Sequence, residues 1–64
     1  MNLKLKFKRI EKEYKQYELA EKVGITPQYL RLIEKDQANP TKDVMEKIAK
    51  ELDTPVAELF FSRS

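Results

Sequence analysis

Apolar positions along the chain recur at helical spacing, with little punctuation between them. Leu19, Ala20 and Val23 lie on one stripe, the pattern of a short amphipathic helix over about residues 16–23. Gly24 follows at the point where a left-handed residue ends a helix without a Cβ penalty. Ile25 points inward, and Thr26-Pro27 reads as a cap followed by proline at the first helical position. The next helix is expected over about 27–34, burying Leu30 and Ile33. A polar loop, Lys35 to Pro40, leads to Thr41, the cap of a helix over about 42–52 with Val44, Met45, Ile48, Ala49 and Leu52 inward. Thr54-Pro55 repeats the cap-plus-proline start, which sets a last helix over about 55–60 that offers Val56, Leu59 and Phe60.

The N-terminal segment carries two patterns at once. Leu3, Leu5 and Phe7 alternate with Lys4, Lys6 and Lys8, as in a strand with one basic face. Leu3, Phe7, Ile10 and Tyr14 also share one helical face, Asn2 is a good N-cap, and Arg9 to Glu13 forms helix readily. The segment is read as a helix over about 3–13, with a short strand at the extreme N-terminus left open.

Composition narrows the function classes. The 64 residues suffice for one domain and contain no Cys and no His, which removes a disulfide framework, a zinc finger and a histidine base. Gly24 stands alone, so no glycine-rich phosphate cradle exists, and Ser62 and Ser64 are the only serines. No enzyme, metal or cofactor is expected. No apolar run approaches the roughly 20 residues of a membrane span, and the apolar core of a signal peptide is missing. The expected setting is the cytoplasm, with neither membrane nor small-molecule ligand as partner. Net charge is only +2, yet residues 1–15 hold six basic side chains against two acidic ones. A basic end on a near-neutral body suits a phosphate partner, although charge runs on small proteins are commonly solvated faces.

Residues 16–35 carry the functional signal. Two short helices joined by a tight turn containing Gly are the helix-turn-helix arrangement. Ala20 is small where the helices cross, Gly24 admits a positive φ, and Leu19, Val23, Ile25, Leu30 and Ile33 form the wedge that sets their angle. Leu19-Ala20, Gly24, Ile25-Thr26 and Ile33-Glu34 together resemble the helix-turn-helix of the Cro and repressor (Xre-like) family of phage and bacterial transcriptional regulators. The resemblance extends over nearly the whole chain, through Arg9, Asn39-Pro40, Asp53-Thr54-Pro55 and Leu59-Phe60. It departs at Lys15, where the family has a capping Ser, Thr or Asn.

The resemblance implies an all-α, compact five-helix, lambda-repressor-like domain spanning residues 1–64, whose helix 27–34 enters the major groove of double-stranded DNA. Carried over, the residues expected at base edges are Pro27, Gln28, Tyr29, Arg31 and Leu32. Gln28 suits a bidentate pair with adenine, Arg31 a guanine or a phosphate, and Pro27 and Leu32 apolar contact. Backbone phosphates are expected at Lys15, Gln16, Tyr17, Lys35, Gln37, Asn39 and Lys42. Arg9 and Glu34 are expected to form a structural ion pair. The family also implies a homodimer seamed by Val56, Leu59, Phe60 and Phe61, a near-palindromic operator and a repressor role. The competing reading is a helical protein-interaction module, or an antitoxin, that uses the same C-terminal apolar residues on another protein.

Overall fold

The structure is a computed structural model that describes residues 2–61. Four α-helices, α1 (Leu3–Glu11), α2 (Gln16–Val23), α3 (Pro27–Glu34) and α4 (Lys42–Glu51), precede a π-helical turn, Ala57–Phe61. No described residue is in a strand, so the N-terminal alternation resolves as helix. The bounds of α2 and α3 match the sequence expectation. The first helix stops at Glu11 rather than near residue 13, and α4 ends one residue early. The last element is entered by a tighter turn, in which the N–H groups of both Glu58 and Leu59 donate to the Pro55 carbonyl (3.1 and 3.2 Å), before the π-helical residues that wind wider than an α-helix.

Ten apolar side chains make one core: Leu5, Leu19, Ala20, Val23, Leu30, Ile33, Ile48, Ala49, Leu52 and Leu59. α2 sits at its centre, packing on both α3 and α4. On α1 the structure corrects the expected buried face. Leu3, Phe7 and Ile10 are 46%, 59% and 52% exposed, whereas Leu5 and Arg9 are buried. The buried face holds a single apolar side chain, Leu5, so apolar spacing by itself favours the other one. Arg9 decides between them, because its partner Glu34 lies on the buried side and turns the helix that way.

Local chemistry closes each helix. Asn2 caps α1 by accepting the Leu5 N–H (3.1 Å), Thr26 caps α3 through Tyr29 N–H (3.1 Å), and Thr41 caps α4 through Val44 N–H (3.2 Å). All four helices end in a left-handed residue, at Glu13, Gly24, Asp36 and Asp53. Behind each, an N–H reaches back five residues: Tyr14 to Arg9, Ile25 to Ala20, Gln37 to Leu32 and Thr54 to Ala49, at 2.8–3.0 Å. These wrap-back bonds satisfy carbonyls that the helix leaves open. Only at Gly24 does the sequence advertise the turn with a glycine; three acidic residues adopt it elsewhere because the wrap-back bonds hold them there.

Asn2 also ties the ends of the domain together. Its Nδ2 donates to the Leu59 carbonyl (2.9 Å), and its backbone N–H donates to the carbonyl of Glu34 (2.8 Å). One residue thereby joins α1, the end of α3 and the C-terminal turn.

Candidate nucleic-acid interface

The two helices of the motif are set by the wedge around Ala20 and by the Gly24 turn, whose φ is +86°. Leu30, Ile33 and Glu34 bury one side of α3, leaving the opposite side uncovered. Pro27, Gln28, Arg31 and Leu32 are exposed there, while Tyr29 is half-buried against the core. The exposed side of α3 thus presents an apolar ring and an amide from its first turn and a guanidinium from its last, with Tyr29 half-buried against the core. Such a flank can offer hydrogen bonds and apolar contact to base edges.

The start of α2 lies beside this flank. Lys15 precedes it without a side-chain cap, since an ammonium has no lone pair to offer an N–H. Glu18 supplies half of the usual exchange by accepting the Lys15 backbone N–H (2.9 Å). The first N–H groups of α2 are left free for an outside acceptor. Gln16, half-buried, donates through Nε2 to Glu34 Oε1 (3.3 Å), and Lys15 and Tyr17 are exposed on either side.

Beneath both helices, Arg9 Nε donates to Glu34 Oε2 at 2.8 Å, and its terminal nitrogens reach Glu34 Oε1 (3.4 Å) and the Tyr14 carbonyl (2.8 Å). The two side chains are only 10% and 6% exposed. The pair locks the C-terminal end of α3 to α1, which fixes the tilt of the exposed flank. Every buried polar side-chain atom among the described residues has a partner.

The remaining expected phosphate contacts divide into two places. Lys35 follows α3 directly and lines a cavity with Gln16, while Gln37 and Asn39 are exposed in the loop beyond. Lys42 starts α4 and lines a separate apolar groove with Met45, Glu46, Val56 and Phe61. Sequence reasoning missed Lys6, which lines the Gln16 cavity from α1. The available signal was its position one turn before Arg9 on the same helix. Of the residues expected at a dimer seam, Leu59 is 3% exposed and belongs to the domain's own core, so it has no surface for a second copy. Phe60 is half-buried against that core, Val56 is half-buried, and Phe61 is 63% exposed.

A model of the helix-turn-helix family matches residues 5–59. The chain belongs to the helix-turn-helix family. Within that family it is of the Cro/repressor, Xre-like kind. Its all-helical fold is that of the N-terminal DNA-binding domain of SinR from Bacillus subtilis, with a TM-score of 0.86 and 36% identity over 98% of this chain and 91% of that one. A chain in the SinR–SinI protein complex is similar too, with a TM-score of 0.84 and 38% identity over 92% of this chain. This helix-turn-helix chain spans only 58% of that longer one. No curated protein sequence matches it. Among the described residues no helix is long and apolar enough to cross a membrane.

Proposed function

We propose that the chain is a single helix-turn-helix domain that binds double-stranded DNA in a sequence-specific way and regulates transcription as a repressor. The observation that carries this reading is the uncovered N-terminal flank of α3, held at a fixed tilt by the buried Arg9–Glu34 pair. In helix-turn-helix proteins that flank enters the major groove. Gln28 reads adenine, Pro27 and Leu32 meet thymine methyls, and Tyr29 contributes its exposed edge. Lys15, Gln16, Tyr17, Lys35, Gln37 and Asn39 hold backbone phosphates, which set register without reading sequence.

The domain acts as a homodimer on a near-palindromic operator, with its two copies of α3 about 34 Å apart. Val56 and Phe61 are the apolar side chains available for the seam, flanking the groove closed by Met45. A bound dimer blocks polymerase by occupying the site, and the work is done in the cytoplasm. A protein partner is the second reading, favoured by the same groove and by the SinR–SinI complex among the similar structures.

Selection of bound duplexes from a random pool tests the proposal. A symmetric enriched site, bound with steep salt dependence, is the expected result. Gln28→Ala should then weaken the selected site by about 1–3 kcal/mol and barely change binding to unrelated DNA. Equal losses on both would remove Gln28 as a base reader. Absence of salt-dependent duplex binding would leave the protein-partner reading in its place.

A further inference from the structure

α1 carries an apolar face that the fold leaves uncovered. Leu3, Phe7 and Ile10 are spaced four and three residues apart, so they form one contiguous stripe along the helix. Each is about half exposed. The other exposed large apolar side chains among the described residues are accounted for, Tyr17 and Leu32 at the candidate DNA interface and Phe61 on the C-terminal groove. Single exposed apolar residues are ordinary, whereas a contiguous stripe marks a contact surface. The charges beside the stripe indicate what covers it. The next row of α1, one position on, is Lys4, Lys8 and Glu11. Lys8 pairs with Glu11 (3.5 Å) and Lys4 with Glu58 of the C-terminal turn (3.3 Å). This flank sets two cations against two carboxylates, so it gives an anionic surface no advantage over a protein. Lys4 and Glu11, at the two ends of the row, are exposed. On the opposite flank, Lys6 is half-buried and lines the cavity shared with Gln16, Arg31 and Lys35. A row with a cation at one end and a carboxylate at the other complements its own copy run backwards.

We propose that the Leu3–Phe7–Ile10 stripe binds a second copy of this chain, with the two α1 helices antiparallel. Phe7 meets its counterpart at the two-fold axis, Leu3 of each copy meets Ile10 of the other, and Lys4 of each meets Glu11 of the other. The intrachain pairs of Lys4 and Glu11 are exposed, so sharing or exchanging them costs little. The surface is separate from the seam at Val56 and Phe61, and the pairing needs no DNA. It is also compatible with DNA. The axis crosses the stripe at right angles to α1 and therefore puts the Lys6 flank of both copies on one side of the pair. That flank borders α2 and α3 through the shared cavity, which leaves both copies able to meet one duplex. Three half-exposed side chains fall well short of the roughly 800 Å2 per partner of a standard interface, so the contact is weak. Copies held side by side on one duplex reach effective concentrations on the order of mM, where a weak contact is occupied.

Sedimentation equilibrium of the full chain at up to about 1 mM tests the pairing. The Phe61→Glu variant serves as the background, because it removes the other seam, and every variant is checked for native circular dichroism. Phe61→Glu alone should form dimers with a dissociation constant on the order of 0.1–1 mM. Adding Phe7→Glu, at an exposed position, should leave a folded monomer throughout the range. Adding Lys4→Glu or Glu11→Lys should each weaken association by about fivefold or more, since each turns two symmetric attractions into repulsions. Adding both should restore it to within about twofold, because the swapped charges again face one another. A monomer at the highest concentration, association that survives Phe7→Glu, or a charge swap that stays weak overturns the pairing. Vesicles of phosphatidylglycerol and phosphatidylcholine that bind Phe61→Glu as a monomer, and lose it on Phe7→Glu, would reassign the stripe to a lipid surface and also overturn it. None of these readouts uses DNA, so failure here is distinct from failure of the DNA-binding reading.

Discussion

Removing Glu34 should cost this domain most of its stability. The perturbation is Glu34→Ala, which leaves the Arg9 guanidinium 10% exposed with no counter-charge and takes the acceptor from Gln16 Nε2. Stripping one partner from a buried pair costs about 3–5 kcal/mol, because the other charge stays buried without compensation. The loss of the Gln16 hydrogen bond adds about 1 kcal/mol. A 64-residue chain has about 3–10 kcal/mol of total stability at ordinary values per residue. Glu34→Ala should therefore populate the unfolded state substantially at 25 °C, and Arg9→Ala should behave alike. The double variant Arg9→Met with Glu34→Leu replaces both charges with apolar groups and should recover much of the loss. Urea denaturation followed by circular dichroism reads all four corners of the cycle, with Arg9→Met and Glu34→Leu as single variants. A coupling energy near zero, or single variants that each lose less than about 1 kcal/mol, would show that the pair does not lock α3 to α1. DNA affinity should fall in parallel with stability across the set, since the same lock sets the tilt of the exposed flank.

Three further outcomes follow from the same geometry. Leu5→Ala should destabilise the domain by about 2–5 kcal/mol whereas Phe7→Ala, one helical face away and 59% exposed, should cost under about 1 kcal/mol; thermal melts that rank them the other way would put the wrong side of α1 in the core. Gly24→Ala should cost about 1–2 kcal/mol for placing a Cβ at φ +86°, and no more, because nothing lies within 4 Å of the added carbon; a larger loss in urea would mean a steric clash instead. The Tyr14 phenol donates to Glu51 Oε2 (3.1 Å), and this bond to a carboxylate, with smaller desolvation and repulsion contributions, raises its pKa above the ordinary 10.0. The bond's contribution to stability is thus whole below pH 10.0 and is lost as pH rises through the folded-state pKa. Tyr14→Phe should abolish the latest phase of the phenolate absorbance titration; an unchanged titration would assign that phase to another tyrosine.

The interior of the motif was legible in the residues themselves. Leu19, Ala20, Val23, Leu30 and Ile33 occupy the core as their spacing implies, and α2 and α3 begin and end where Gly24, Thr26 and Pro27 place them. Local chemistry settles such features: a left-handed turn wants glycine, and a helix start wants a hydroxyl and tolerates proline. The seam at the C-terminus was less legible, because Leu59 and Phe61 look equally apolar in sequence while one fills the core and the other lies on the surface. Nothing local distinguishes them; the bond from Asn2 to the Leu59 carbonyl, 57 positions apart in sequence, does.

The chain's own order of residues therefore determined the class of fold, the helix-turn-helix and the exposed flank of α3, since periodicity, caps and the lone glycine act within a few residues of one another. Tertiary structure alone decided which face of α1 turns inward and which basic residues line one cavity. Lys6, Arg31 and Lys35 come to line that cavity only after three helices have packed, and Arg9 turns α1 only once Glu34 is in reach. Charge acts through space rather than along the chain, so its partners become visible only when the packing is known.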